Sequence, residues 1–228
     1  MSVHLERETA RLKQRILDMC ARTERAVQEA VQALTDRDTE RAQRLIADDD
    51  VLDRCEVEIE EECLKVLALY QPVATDLRFI IAVMRLSGDL ERIGDLAVHI
   101  AERVLEICRE PPAGPPLDFR PLASRTLAML HESIDALIEL NSAKAAEVIR
   151  SDDEVDAENR AVIEQIKARI RAHSHQLDVD LNLMGIARHF ERIADHAVNI
   201  AEDVIYLLEG RIVRHQRADW GPSDTPPR

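Results

Sequence analysis

The chain has 228 residues, 46% of them hydrophobic but only 3% aromatic, with 44 acidic against 30 basic side chains and a net charge of −14. That balance disfavours nucleic acid and anionic membrane surfaces, and suits cations or a basic protein partner. The charged N-terminus has no apolar run and reads as no signal peptide, and no stretch approaches the ~18 apolar residues that a membrane span requires.

Ala, Leu, Ile, Val, Glu and Arg dominate, a helix-forming composition. Taken in chain order, Leu5, Leu12, Ile16, Met19, Val27, Ala30 and Leu34 recur at helical spacing and predict a first helix over 3–34. Residues 35–39 supply a turn with N-cap chemistry. A second helix is expected over 39–70, ended by Gln71-Pro72, and a third over 74–109. The proline-rich segment 111–116 cannot be helical and divides the chain. Three more helices are expected near 119–141, 143–172 and 177–209, with Gly210 as a stop and a loose tail over 213–228. Short links make neighbouring helices antiparallel. The expected architecture is all-α: two tandem three-helix bundles, over 1–110 and 117–212.

The two halves are copies. Residues 91–102 (ERIGDLAVHIAE) recur as 191–202 (ERIADHAVNIAE), identical at nine of twelve positions. A second segment, 41–53, matches 144–156 at five of thirteen positions: Ala42, Ile46, Asp49, Asp50 and Asp53 with their counterparts. Both matches preserve two acids four residues apart, which a helix projects from one side. The resulting candidates are Asp49 with Asp53, Glu91 with Asp95, Asp152 with Asp156, and Glu191 with Asp195. The pairs at 49–53 and 91–95 lie equally far from Pro72, so an antiparallel hairpin brings them level. The pairs at 152–156 and 191–195 do the same about the turn at 171–176.

On the third and sixth predicted helices these acids lie off the apolar stripe of Leu90, Ile93, Ala97 and Ile100, or Phe190, Ile193, Ala197 and Ile200. A groove or surface site follows. One reading is a solvated face neutralised by Arg92, Arg103, Arg188 and Arg192. Duplication and level placement favour a cation site instead, since clustered acids need positive charge and hard oxygen donors suit Mg, Mn, Ca or Fe. Glu102, Glu202 and His99 extend the candidate set. His99 and His196 are not duplicated, their counterparts being Asn199 and Leu96. His173 and His175 fall in a predicted turn and read as solvated, and Arg78 as a surface cation. Cys20, Cys55, Cys63 and Cys108 have no metal-ligand spacing and read as reduced core residues, which fits a cytoplasmic setting.

The duplicated E-R-I-(G/A)-D segment, together with Pro72-Val-Ala-Thr-Asp-Leu-Arg78, resembles the PhoU family of phosphate-signalling regulators over roughly residues 5–210. His99 and Ala194 depart from its usual Asn and Gly. The resemblance implies multinuclear metal clusters, iron or zinc among them, on the bundle surfaces. It implies contacts with the ATPase subunit of the phosphate ABC transporter and with a membrane sensor histidine kinase, negative regulation of uptake and of the starvation response, and a homodimer. No enzyme is expected. The alternatives are a helical-bundle di-metal oxidoreductase or a metal-storage protein. The former typically carries Glu-x-x-His, which this sequence lacks.

Overall fold

The computed structural model describes residues 3–110, 117–172 and 176–213. The proline-rich segment, His173, His175 and the expected loose tail beyond Val213 lie outside them. The described residues form α1 (Val3–Asp36), α2 (Thr39–Ala47), α3 (Asp50–Tyr70), α4 (Ala74–Cys108), α5 (Arg120–Glu139), α6 (Ser142–Ala172) and α7 (Leu177–Glu209), with no strand among them. Helices α1 to α4 build the first bundle, α2 and α3 sharing one helical arm, and α5 to α7 build the second.

Side-chain chemistry sets the ends. Asp38 accepts a hydrogen bond from the Arg41 amide at 2.9 Å and starts α2. Asn141 does the same for the amides of Ala143 and Lys144, both at 3.1 Å, and starts α6. Gln71 closes α3 and Gly210 closes α7, both in the left-handed region, at φ 46° and 71°. The Arg78 guanidinium lies against Gly210, and a β-carbon there would sit 3.3 Å from it. Arg78 therefore covers a helix end instead of standing free as a surface cation.

The single helix expected over 39–70 is kinked at Asp48–Asp49. Four amides there close on the third residue back: Asp48 to Leu45, Asp49 to Ile46, Val51 to Asp48 and Leu52 to Asp49, at 3.1–3.4 Å. This overwound stretch coincides with three consecutive aspartates, whose side chains compete for backbone amides and repel one another. The second copy has Ser151-Asp152-Asp153 at these positions, and α6 runs through unbroken.

The copies share an internal register. Thr23 Oγ1 donates to the Leu90 carbonyl at 3.3 Å, and Thr126 Oγ1 donates to the Phe190 carbonyl at 3.4 Å. Helices α4 and α7 then cross antiparallel at the centre. Arg85 meets Asp203 at 3.3 Å on one side of the crossing, while Arg103 packs over Gly185 on the other. These pairs are exchanged by the pseudo-twofold that relates the copies. The sequence suggests one apolar stripe on α4, and residues flanking it, such as Leu96 and Ile107, are buried as well. One continuous apolar core therefore runs through both bundles.

Candidate metal centre

In the first copy, oxygens of Asp49, Asp53 and Asp95 lie within 4.8 Å of one another. Asp49 stands at the kink, Asp53 one turn along α3, and Asp95 on α4 opposite. The expected level placement about Pro72 thus brings three of the four predicted acids together. Glu91 adjoins them. Its carboxyl is pushed above the ordinary range by burial and by Asp95, against the pull of Arg92, with Glu56 and Asp53 adding to the rise. Asp49 is raised likewise, by burial and then by Asp53 and Asp95. Arg92, the salt-bridge partner suggested by the sequence, reaches Asp95 at 3.3 Å and Glu91 at 3.5 Å but remains 61% exposed. One solvated guanidinium leaves the cluster with an excess of negative charge.

A fifth acid, Glu56, belongs to this group and was not anticipated. Burial, Glu60, Asp53 and Asp95 raise its carboxyl, and Arg92 lowers it. It follows Asp53 by three residues and so shares its helix face. Its counterpart in the second copy is Asn159, so a search for duplicated acids passes over it.

The second cluster differs. Glu191 is raised by burial, then by Asp195 and Asp156, and is lowered by Arg188 and by a hydrogen bond from Asn159. Asp152 is only 4% exposed, and Arg160 approaches Asp156 at 3.7 Å. Among the described residues no second trio of acids reaches the spacing of Asp49, Asp53 and Asp95. Of the remaining candidates, His99 borders the cluster: it acts on Asp49, lowering its carboxyl against the rise, and stacks on His189 with ring centroids 5.5 Å apart, while Glu102 lines the same cleft between α4 and α7. Glu202 is half-buried on α7. His196 binds Asp89 through Nδ1 at 2.8 Å.

Two departures from the family pattern have structural settings. A β-carbon on Gly94 would fall 2.4 Å from Leu52 Cδ1. Its counterpart Ala194 aligns with the smaller Val155, which leaves room for the extra methyl. The histidine at position 99 is part of the stack on His189. All four cysteines are free, and burial pushes the thiols of Cys20 and Cys63 up to about 12, which keeps them inert.

Three converging carboxylates, Asp49 and Asp53 one turn apart and Asp95 from α4, offer hard oxygen donors to a cation. Fold and site together define a duplicated three-helix-bundle protein with an acidic cluster on each copy. The PhoU domain model matches residues 16–104 and 119–204, one match per copy. The chain belongs to the PhoU family. It is 36% identical to a "Phosphate-specific transport system accessory protein PhoU homolog" of Aquifex aeolicus, over 93% of this chain and 96% of that one. A protein of the same description in Pseudomonas aeruginosa is 36% identical over 94% and 89% of the two chains. The crystal structure of PhoU from Pseudomonas aeruginosa superposes with a TM-score of 0.87 at 35% identity, covering 90% of this chain and 99% of that one. The phosphate transport system regulatory protein PhoU from Streptococcus pneumoniae gives 0.85 at 28% identity, with 92% and 99% covered. No described helix is long and apolar enough to cross a membrane.

Proposed function

We propose that this chain is an accessory regulator of phosphate uptake that holds metal at its two acidic clusters and acts through protein contacts. The observation that carries the metal reading is the approach of Asp49, Asp53 and Asp95 to within 4.8 Å with Glu91 and Glu56 beside them. Such a group is costly without a counter-ion. The first cluster takes one or more divalent or trivalent ions from Mg, Mn, Ca, Fe or Zn. The second, through Asp152, Asp156, Glu191 and Asp195, takes another. The regulatory reading rests on relatives described as accessory proteins of a phosphate-specific transport system.

In this reading the protein is cytoplasmic and acts at the inner face of the membrane, as a homodimer. It binds the ATPase subunit of the phosphate ABC transporter and a sensor histidine kinase, and keeps both quiet when phosphate is plentiful. The metal stiffens the α3–α4 and α6–α7 hairpins that meet these partners. Deletion of the gene in its source cell tests this. Starvation genes should become expressed at high phosphate, and the tagged protein should retain the ATPase or the kinase. Unchanged repression with neither partner retained would refute the regulatory reading.

A further inference from the structure

Beside the kink between α2 and α3, a cavity of ≈ 580 Å³ opens among α1, α2, α3 and α4. Arg22, Arg25 and Arg44 stand around it, with Leu45, Leu52 and Val98 supplying apolar wall. The second copy serves as an internal control, because the matched threonine bonds fix how α1 aligns with α5. Ala26, which lines the cavity, corresponds to Met129, which is 2% exposed and adds the bulk of a long side chain at that position.

The charges differ as well. Arg125, the counterpart of Arg22, is paired with Glu154 and with Glu158. The first copy has Val51 and Cys55 in place of those two acids, so Arg22 has lost both. Arg25 and Arg44 correspond to Ala128 and Glu147, so these two cations belong to the first copy alone. Among the described residues no carboxylate lies within ion-pair distance of Arg22 or Arg25, and Arg44 reaches only Glu40 at 3.9 Å, with both side chains largely exposed. Glu29, an acid of the cavity wall, is already paired with Arg41 at 2.5 Å. The other acids of the wall are Asp48 and Asp49 at the kink, and Asp49 is shared with the cation cluster.

We infer that this cavity binds a phosphomonoester of nucleotide size. Three arginines without strong partners line the one cavity and supply donors for a phosphate's several acceptor oxygens, and the aliphatic wall can pack on the face of a base. The volume is in the range of small-molecule sites, about 300–1,000 Å³. Asp49 belongs to both walls, but Arg25, Arg44 and Ala26 are no part of the acid cluster, so variants at these positions separate the two sites.

Calorimetric titration of the full chain with adenosine monophosphate, alongside inorganic phosphate, tests the site. The nucleotide should bind at least about tenfold more tightly than phosphate, and Arg25→Ala with Arg44→Ala should weaken it by at least about tenfold, or ~1.4 kcal/mol. Ala26→Met, which copies the bulk of the second repeat, should abolish binding while leaving metal uptake and the melting temperature unchanged. Absence of nucleotide binding, equal affinity for phosphate, or binding that Ala26→Met leaves intact would each overturn the assignment.

Discussion

Asp49, Glu56, Glu91 and Glu191 each hold a proton more tightly than a free carboxyl, through burial first and neighbouring acids second. A carboxyl whose folded value is raised contributes stability below its unfolded value, near ~4, and loses it as pH rises through the folded value. The metal-free protein should therefore gain from neutralising these groups only at higher pH. For Asp49→Asn combined with Glu91→Gln, the stability difference from the parent should grow in the variant's favour between about pH 4 and pH 7. Urea unfolding with chelator present measures it, and a flat difference would contradict the electrostatic account. A cation reverses the balance. Manganese at about 100 times its dissociation constant should stabilise the parent by about 2.7 kcal/mol. Asp49→Asn with Asp95→Asn should lose the first cluster's share of that gain and keep only what the second cluster supplies. The duplication alone pointed to Asp49, Asp53, Glu91 and Asp95, which adjoin one another in the first copy, and to Asp156, Glu191 and Asp195, which act on one another in the second. It did not point to Glu56, because Asn159 replaces it in the other copy; its spacing from Asp53 was the signal available. The lateral position of His99 depends on His189 across the α4–α7 crossing, which no local pattern encodes.

At the scale of helices, the boundaries were legible within a residue or two wherever Asp38, Gln71, Asn141 or Gly210 supplied a cap. The kink at residues 48–49 was missed because hydrophobic periodicity continues across it, from Ala42 to Leu52. Its cue was the run of three aspartates, a composition that weakens a helix without reversing it. The close approach of α3 to α4 beside the cluster depends on Leu52 against Gly94. Gly94→Ala gains about 1 kcal/mol of helix propensity but crowds Leu52, and overpacking costs typically ~1–3 kcal/mol, so the net effect should be destabilising. Adding Leu52→Val, the pairing of Val155 with Ala194, should restore stability to near the parental value. Chemical denaturation of the two single variants and the double closes the cycle. Additive effects would show that the two sites are not in contact.

The whole molecule unites what the duplication made twice. Because one core spans both bundles, the halves should unfold together. Calorimetry should show a single transition, and Phe190→Ala, fully buried at the α5–α7 contact, should lower the stability of both halves by about 3–5 kcal/mol. Two resolved transitions, with only the second bundle shifted, would contradict a shared core. Sequence periodicity identified the two bundles but not their union, because the pairing of α4 with α7 joins positions about a hundred residues apart, such as Arg85 with Asp203. The central claim remains that the acidic clusters exist to hold metal. Elemental analysis of protein purified without chelator, for the parent and for Asp49→Asn with Asp95→Asn, tests it most directly. The account predicts at least one equivalent of a transition or alkaline-earth metal in the parent, and a clear loss in the variant. Parent protein with no metal above the buffer, and none taken up on addition of manganese, iron, zinc, magnesium or calcium, would contradict it.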